Sequence, residues 1–60
     1  MNSRQIIKRL KDDGWAHVNT VGSHWHFKHP TKPGKVTVPH PKKHIPKGTL
    51  ISIEKQAGWR

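Results

Sequence analysis

Residues 23–29 read SHWHFKH, and the alternation of that stretch decides the fold. Successive side chains of a strand point to opposite faces, so Trp25, Phe27 and His29 share one side and His24, His26 and Lys28 the other. The large apolar pair, Trp25 and Phe27, selects the buried side. A slip of one residue would bury two histidines and a lysine, so the register is strongly specified. The segment reads as a strand whose open face carries two imidazoles and an ammonium.

Upstream, Trp15 to Thr20 predicts a partner strand with Val18 on its core face and Ala16 beside it by period two, joined through a short turn at Val21-Gly22. Downstream, Pro30 to Gly34 is a turn rich in breakers. Lys35 to Pro39 follows as a short third strand, Val36 and Val38 inward and Thr37 outward. Ser3 to Asp13 predicts a helix with Ser3 as N-cap. Its Ile6, Ile7 and Leu10 form one apolar stripe, and Gly14 is the stop. Asp12 and Asp13 stand where the helix dipole disfavours acids, and helix physics alone does not account for them. The run HPKKHIP (40–46) is a basic extended loop, because Pro39, Pro41 and Pro46 remove donors and restrict the backbone. A second helix starts at Pro46 or Lys47 and runs to about Ala57, with Leu50, Ile53 and Ala57 on one side and Gly58 closing it. The order predicts one α+β domain over residues 1–60, helix-strand-strand-strand-helix. In it a three-stranded antiparallel sheet carries both helices on one face.

Sixty residues allow one thin core: a domain of this size buries only about 60% of its unfolded surface. Apolar residues make up 30% of the chain but fall in patterned segments, which favours a folded domain over a disordered tail. With no cysteine there is no disulfide, thiolate site or thiol nucleophile. The opening MNSRQIIKRLKDDG has no signal-peptide pattern, and no apolar run reaches the roughly 20 residues of a membrane helix. Charge is more informative. Twelve Lys and Arg against three acids give a formal +9, a field that attracts nucleic acid first, anionic membrane second and an acidic protein third. A membrane surface would call for a basic amphipathic helix, and neither helix is long or cationic enough on one side.

Six histidines remain to be placed. His17 reads as an ordinary polar residue facing solvent or an edge. His29, His40 and His44 lie beside prolines or in the basic loop and read mainly as loop residues, with RNA-phosphate contact as the second reading; His29, on the Trp25 side, also fits a partly buried strand end. His24 and His26 differ because they share an open face with Lys28. Histidine titrates near neutrality, so it takes or gives a proton readily. RNA supplies its own nucleophile, the 2′-hydroxyl. Cleaving it without metal needs a base for that hydroxyl, an acid for the leaving oxygen, and cations for the charged transition state. Lys28, Lys42, Lys43 and Lys47 are candidates for the cations. Asp12, Asp13 and Glu54 are scattered, which disfavours a two-metal nuclease. A zinc site from His24, His26 and a loop histidine has enough nitrogen ligands, but a lone His-x-His is weak and the positive field opposes a bare dication. Trp15 and Trp25 suit the core better than base stacking in a chain with a single Phe, while Trp59 caps the core or stays partly exposed. A non-catalytic basic RNA-binding module is the alternative function.

Four ordered segments now stand together: SRQIIKRLKDDGW (3–15), GSHWHFKHP (22–30), GKVTVPHPKK (34–43) and IPKGTLISIEKQAG (45–58). Together they resemble the HicA (YcfA-like) mRNA interferase toxins over nearly the whole chain. The resemblance implies a fold like the double-stranded-RNA-binding domain and metal-independent endoribonuclease action on mRNA, with no cofactor. It implies a cytoplasmic location and a HicB-like antitoxin, the toxin being a monomer alone and a hetero-oligomer with that partner. The family's catalytic histidine falls on His24; Gly22 and Ser23 match the same motif as positioning residues, and His26 with the four lysines would hold RNA. His44 and Trp25 depart from the family pattern, which bears on RNA preference and antitoxin fit.

Overall fold

The computed structural model describes residues 1–60. Its elements are α1 (Ser3–Asp12), β1 (Ala16–Val21), β2 (His24–Lys28), β3 (Val36–Pro39) and α2 (Lys47–Gln56). The strands form one antiparallel sheet in the order β1-β2-β3. Trp25 pairs with Val38 and Phe27 with Val36, which sets the apolar side chains of β2 and β3 over one another. Ile6, Ile7 and Leu10 of α1, Ile53 of α2 and Ala57 just after it close on this side, and Phe27, Val36 and Val38 are fully buried beneath them. Each such side chain contributes roughly 1.5–3 kcal/mol by leaving water. The α+β order and the single helix-covered face agree with the sequence.

α2 also runs along the free edge of β3, where the Gln56 side-chain oxygen accepts the Thr37 N–H (3.0 Å). An exposed strand edge is thereby closed. β1, by contrast, lies beyond the cover of either helix, and all six of its residues are exposed.

Three local expectations are corrected. Asn2, not Ser3, is the N-cap of α1: its side chain accepts from Gln5 N and the Gln5 side chain accepts from Asn2 N, both at 2.9 Å, a reciprocal capping box. Ser3 is instead buried and tied to the proline-rich loop. Secondly, Val18 is not a core residue. The register of β1 against β2 shifts between His17 and Asn19, and Val18 is 55% exposed. An extra residue of this kind interrupts the alternation of a strand, so His17, not Val18, turns to the covered side and stacks on Trp25 at 4.3 Å. Thirdly, the β1–β2 turn is Gly22-Ser23, flanked by the pair Val21–His24. Gly22 has φ +60° and Ser23 does not share the left-handed region, the pattern of a two-residue hairpin that wants glycine first. The loop before α2 also holds a core residue that its proline content concealed: Ile45 is 2% exposed.

The acids at the end of α1 gain a reason. Asp13 Oδ2 accepts from Lys32 Nζ (2.6 Å), Trp59 Nε1 (3.1 Å) and Trp15 Nε1 (3.2 Å), so one carboxylate joins the end of α1, the turn before β3 and the chain after α2. The hydrogen bond from Lys32 first, then that from Trp59, holds its pKa below the ordinary carboxylate value. His29 buttresses the same corner. Its Nδ1 accepts from the Thr31 and Lys32 amides (3.1 Å each), so the proton sits on Nε2, which donates to the Asp13 carbonyl (2.8 Å).

Candidate RNA-binding groove

The hairpin turn delivers His24 to the first position of β2, opposite Pro39 on β3. It points away from the helix-covered face, as alternation requires once Trp25 and Phe27 are inward. The ring is exposed, and no other protein side chain holds it. A groove of about 380 Å³ lies beside it, between the outer face of β3 and α2. Thr37 and Pro39 come from β3, Lys42 from the loop, and Thr49, Ser52 and Gln56 from α2. The groove thus combines an imidazole, an ammonium, hydroxyls and an amide, with no carboxylate. Such a lining suits an anion that presents hydroxyl and phosphate oxygens.

Lys42 is held in place by its backbone. Ser3 Oγ accepts its N–H (2.9 Å) and Ser3 N donates to its carbonyl (2.9 Å). The loop is further fixed where Ile45 N donates to the Met1 carbonyl (3.0 Å) and His40 N donates to the Ser23 carbonyl (2.8 Å). This last bond ties the turn before His24 to the residue after β3. Gly22 and Ser23 therefore act through the shape of the turn.

The other expected residues divide. His26 lies on the same outer face as His24, but its Nδ1 is engaged with Thr37 Oγ1 (3.0 Å). Lys28 is on this face too, at the far end of β2 and exposed. Lys43 lines the neighbouring cavity at the start of α1 and not the His24 groove. Lys47 opens α2 and is exposed without lining either. Nowhere do three His, Asp or Glu side chains converge as a metal-ligating group. Thr49, Ser52 and Gln56 were missed in the sequence, although their i, i+3, i+7 spacing makes a polar stripe on α2. That stripe was the available signal.

The three acids of the chain are all engaged in ion pairs away from the groove: Asp12 with Lys8, Asp13 with Lys32, and Glu54 with Arg9 and Arg60. Arg9 also lies over the Trp59 ring at 4.1 Å. The remaining lysines and arginines have no carboxylate partner, so the positive field of the chain is left to act on whatever it meets.

Comparison with known proteins agrees with this architecture. The family model described as the HicA toxin of bacterial toxin–antitoxin matches residues 3–59. A chain of a solved HicA3 and HicB3 toxin–antitoxin complex is similar at 39% identity and a TM-score of 0.79, covering 97% of this chain and 94% of that one. No curated protein matches the chain.

Proposed function

The chain belongs to the HicA toxin family, the toxin side of a bacterial toxin–antitoxin pair, and on that footing we propose that it is a metal-independent endoribonuclease that cleaves mRNA with His24 as its general acid/base. The observation that carries this reading is the exposed His24 ring beside Lys42 in an acid-free groove. His24 takes the proton of a ribose 2′-hydroxyl as the 2′-oxygen attacks the adjacent phosphorus. The bond from phosphorus to O5′ breaks, and O5′ leaves as a hydroxyl with a proton from water in the open groove. The products are a 2′,3′-cyclic phosphate and a 5′-hydroxyl end. Lys42 offsets the charge that builds on the non-bridging oxygens, while Thr49, Ser52 and Gln56 supply hydrogen bonds to the sugar and phosphate.

His24→Ala tests the assignment directly. The exposed ring makes no internal hydrogen bond, so the fold should change by less than about 0.5 kcal/mol. Cleavage of labelled RNA should fall about 10²- to 10⁴-fold, the usual contribution of a positioned proton-transfer group. Undiminished cleavage by a folded His24→Ala protein removes the ring from the mechanism. Treatment with EDTA should leave the rate of the unmutated protein alone; a loss that zinc restores would point to a metal enzyme instead. A gel shift without fragments would reduce the protein to an RNA-binding module.

The cytoplasm, where mRNA is found, is the proposed site of action. The inhibitor is a HicB-like antitoxin that covers the His24 groove and part of the basic surface. Complementary charge would make the encounter fast at low salt. Co-expression with such a partner should yield a co-purifying complex in which RNA cleavage is suppressed.

A further inference from the structure

A second basic cavity lies next to the His24 groove. It opens between the first turn of α1 and the loop after β3, and Arg4, His40, Lys42 and Lys43 line it. Lys42 lines both cavities, so the two are joined through one side chain. We propose that this cavity is a second phosphate site, which holds the RNA backbone on one side of the bond cleaved at His24. The inference rests on the ribonuclease reading and extends it to Arg4, His40 and Lys43, which that reading does not use.

Three observations support it. Arg4, Lys42 and Lys43 converge from two distant parts of the chain with no acid among the lining residues. Arg4 stands in the first turn of α1, which contains no acidic residue. A cation there opposes the helix dipole, and a bound anion would relieve both charges. His40 is oriented for the same task. Ser3 Oγ, which accepts the Lys42 N–H, faces His40 Nδ1 at 2.7 Å and the Lys42 carbonyl at 3.2 Å. The hydroxyl donates to the Lys42 carbonyl, and its contact with Nδ1 fixes the His40 ring and leaves Nε2 without a protein partner. Ser3, 1% exposed, thus lines the floor of the site and builds it from beneath. A phosphodiester, with several acceptor oxygens and one negative charge, fits a guanidinium and two ammonium groups with the His40 ring beside them.

The test measures binding of a labelled single-stranded RNA to the His24→Ala protein, which leaves the strand uncut, across a range of salt concentrations. Arg4→Gln and the double Arg4→Gln/Lys43→Gln are introduced in that background. Lys35→Gln is the charge-matched control for Arg4→Gln, at the opposite end of β3 from His40. Each lost phosphate contact should reduce the slope of log affinity against log salt by about 0.7. With one phosphate held in the cavity, the double should lose about 0.7 in all, Arg4→Gln part of it, and the control much less. Circular dichroism confirms that each variant is folded. A change in Arg4→Gln no larger than in the control would show diffuse attraction and overturn the second site while leaving RNA binding intact. Weaker binding to a HicB-like antitoxin with an unchanged RNA slope would overturn it in favour of a protein contact. No RNA binding by any of the proteins would overturn the ribonuclease reading as well.

Discussion

Ser3→Ala is the substitution whose consequences reach furthest from its own position. The hydroxyl is buried and accepts the Lys42 N–H at 2.9 Å while meeting His40 Nδ1 at 2.7 Å. Alanine removes the oxygen and strands the Lys42 amide in a partly buried position. An unsatisfied buried donor costs about 1–3 kcal/mol, and partial exposure favours the lower half of that range. At roughly 0.05–0.15 kcal/mol per residue, a sixty-residue domain is stable by roughly 3–9 kcal/mol, so the loss is a large fraction of the total. The melting temperature should drop about 4–8 °C for each kcal/mol. The backbone bond from Ser3 N to the Lys42 carbonyl survives, so the loop loosens at one end without detaching. Lys42 then wanders at the rim of the His24 groove, and because it meets charge that builds in the transition state, kcat for RNA cleavage should fall together with kcat/KM. Urea denaturation gives the energy, and amide hydrogen exchange at Lys42 gives the location. Were Ser3 merely a helix cap, the lost protection would lie in the first turn of α1. A change below about 0.5 kcal/mol with Lys42 still protected would refute the clamp.

Other perturbations probe the corner opposite the groove. Asp13→Asn removes the carboxylate that Lys32, Trp59 and Trp15 share. Because the folded-state pKa is depressed, its stabilisation is present in full above about pH 4 and fades as the pH falls through the lower folded value. The difference in urea midpoint between the unmutated protein and the Asp13→Asn variant should hold from about pH 7 to about pH 5 and shrink in stronger acid; a gap of the same size at about pH 2 would contradict it. Gly14→Ala should lower stability by about 1–3 kcal/mol in a thermal melt, since residues held in sparsely populated backbone regions cost that much. Gly14 has φ +99°, and a Cβ would approach His29 Nε2 to 2.8 Å. An unaltered melting temperature would mean that the corner is slack.

The alternation of SHWHFKH, the apolar stripes of the two helices and the glycine stops are local, and each depends on only a few neighbouring residues. They sufficed for the element order, for the covered side of β2 and for the exposure of His24. The +9 charge is likewise a property of the sequence alone. The break at Val18 was not legible, because a bulge depends on how two strands twist together and not on the pattern within one. Nor was Ser3, whose role is set by a loop 39 residues away, or Asp13, whose partner Trp59 is 46 residues distant. Only folding brings Lys42 beside His24 and turns the polar stripe of α2 toward both. Periodicity tells which way a side chain faces relative to its own backbone; what it faces is decided by chain segments that meet only when the core closes.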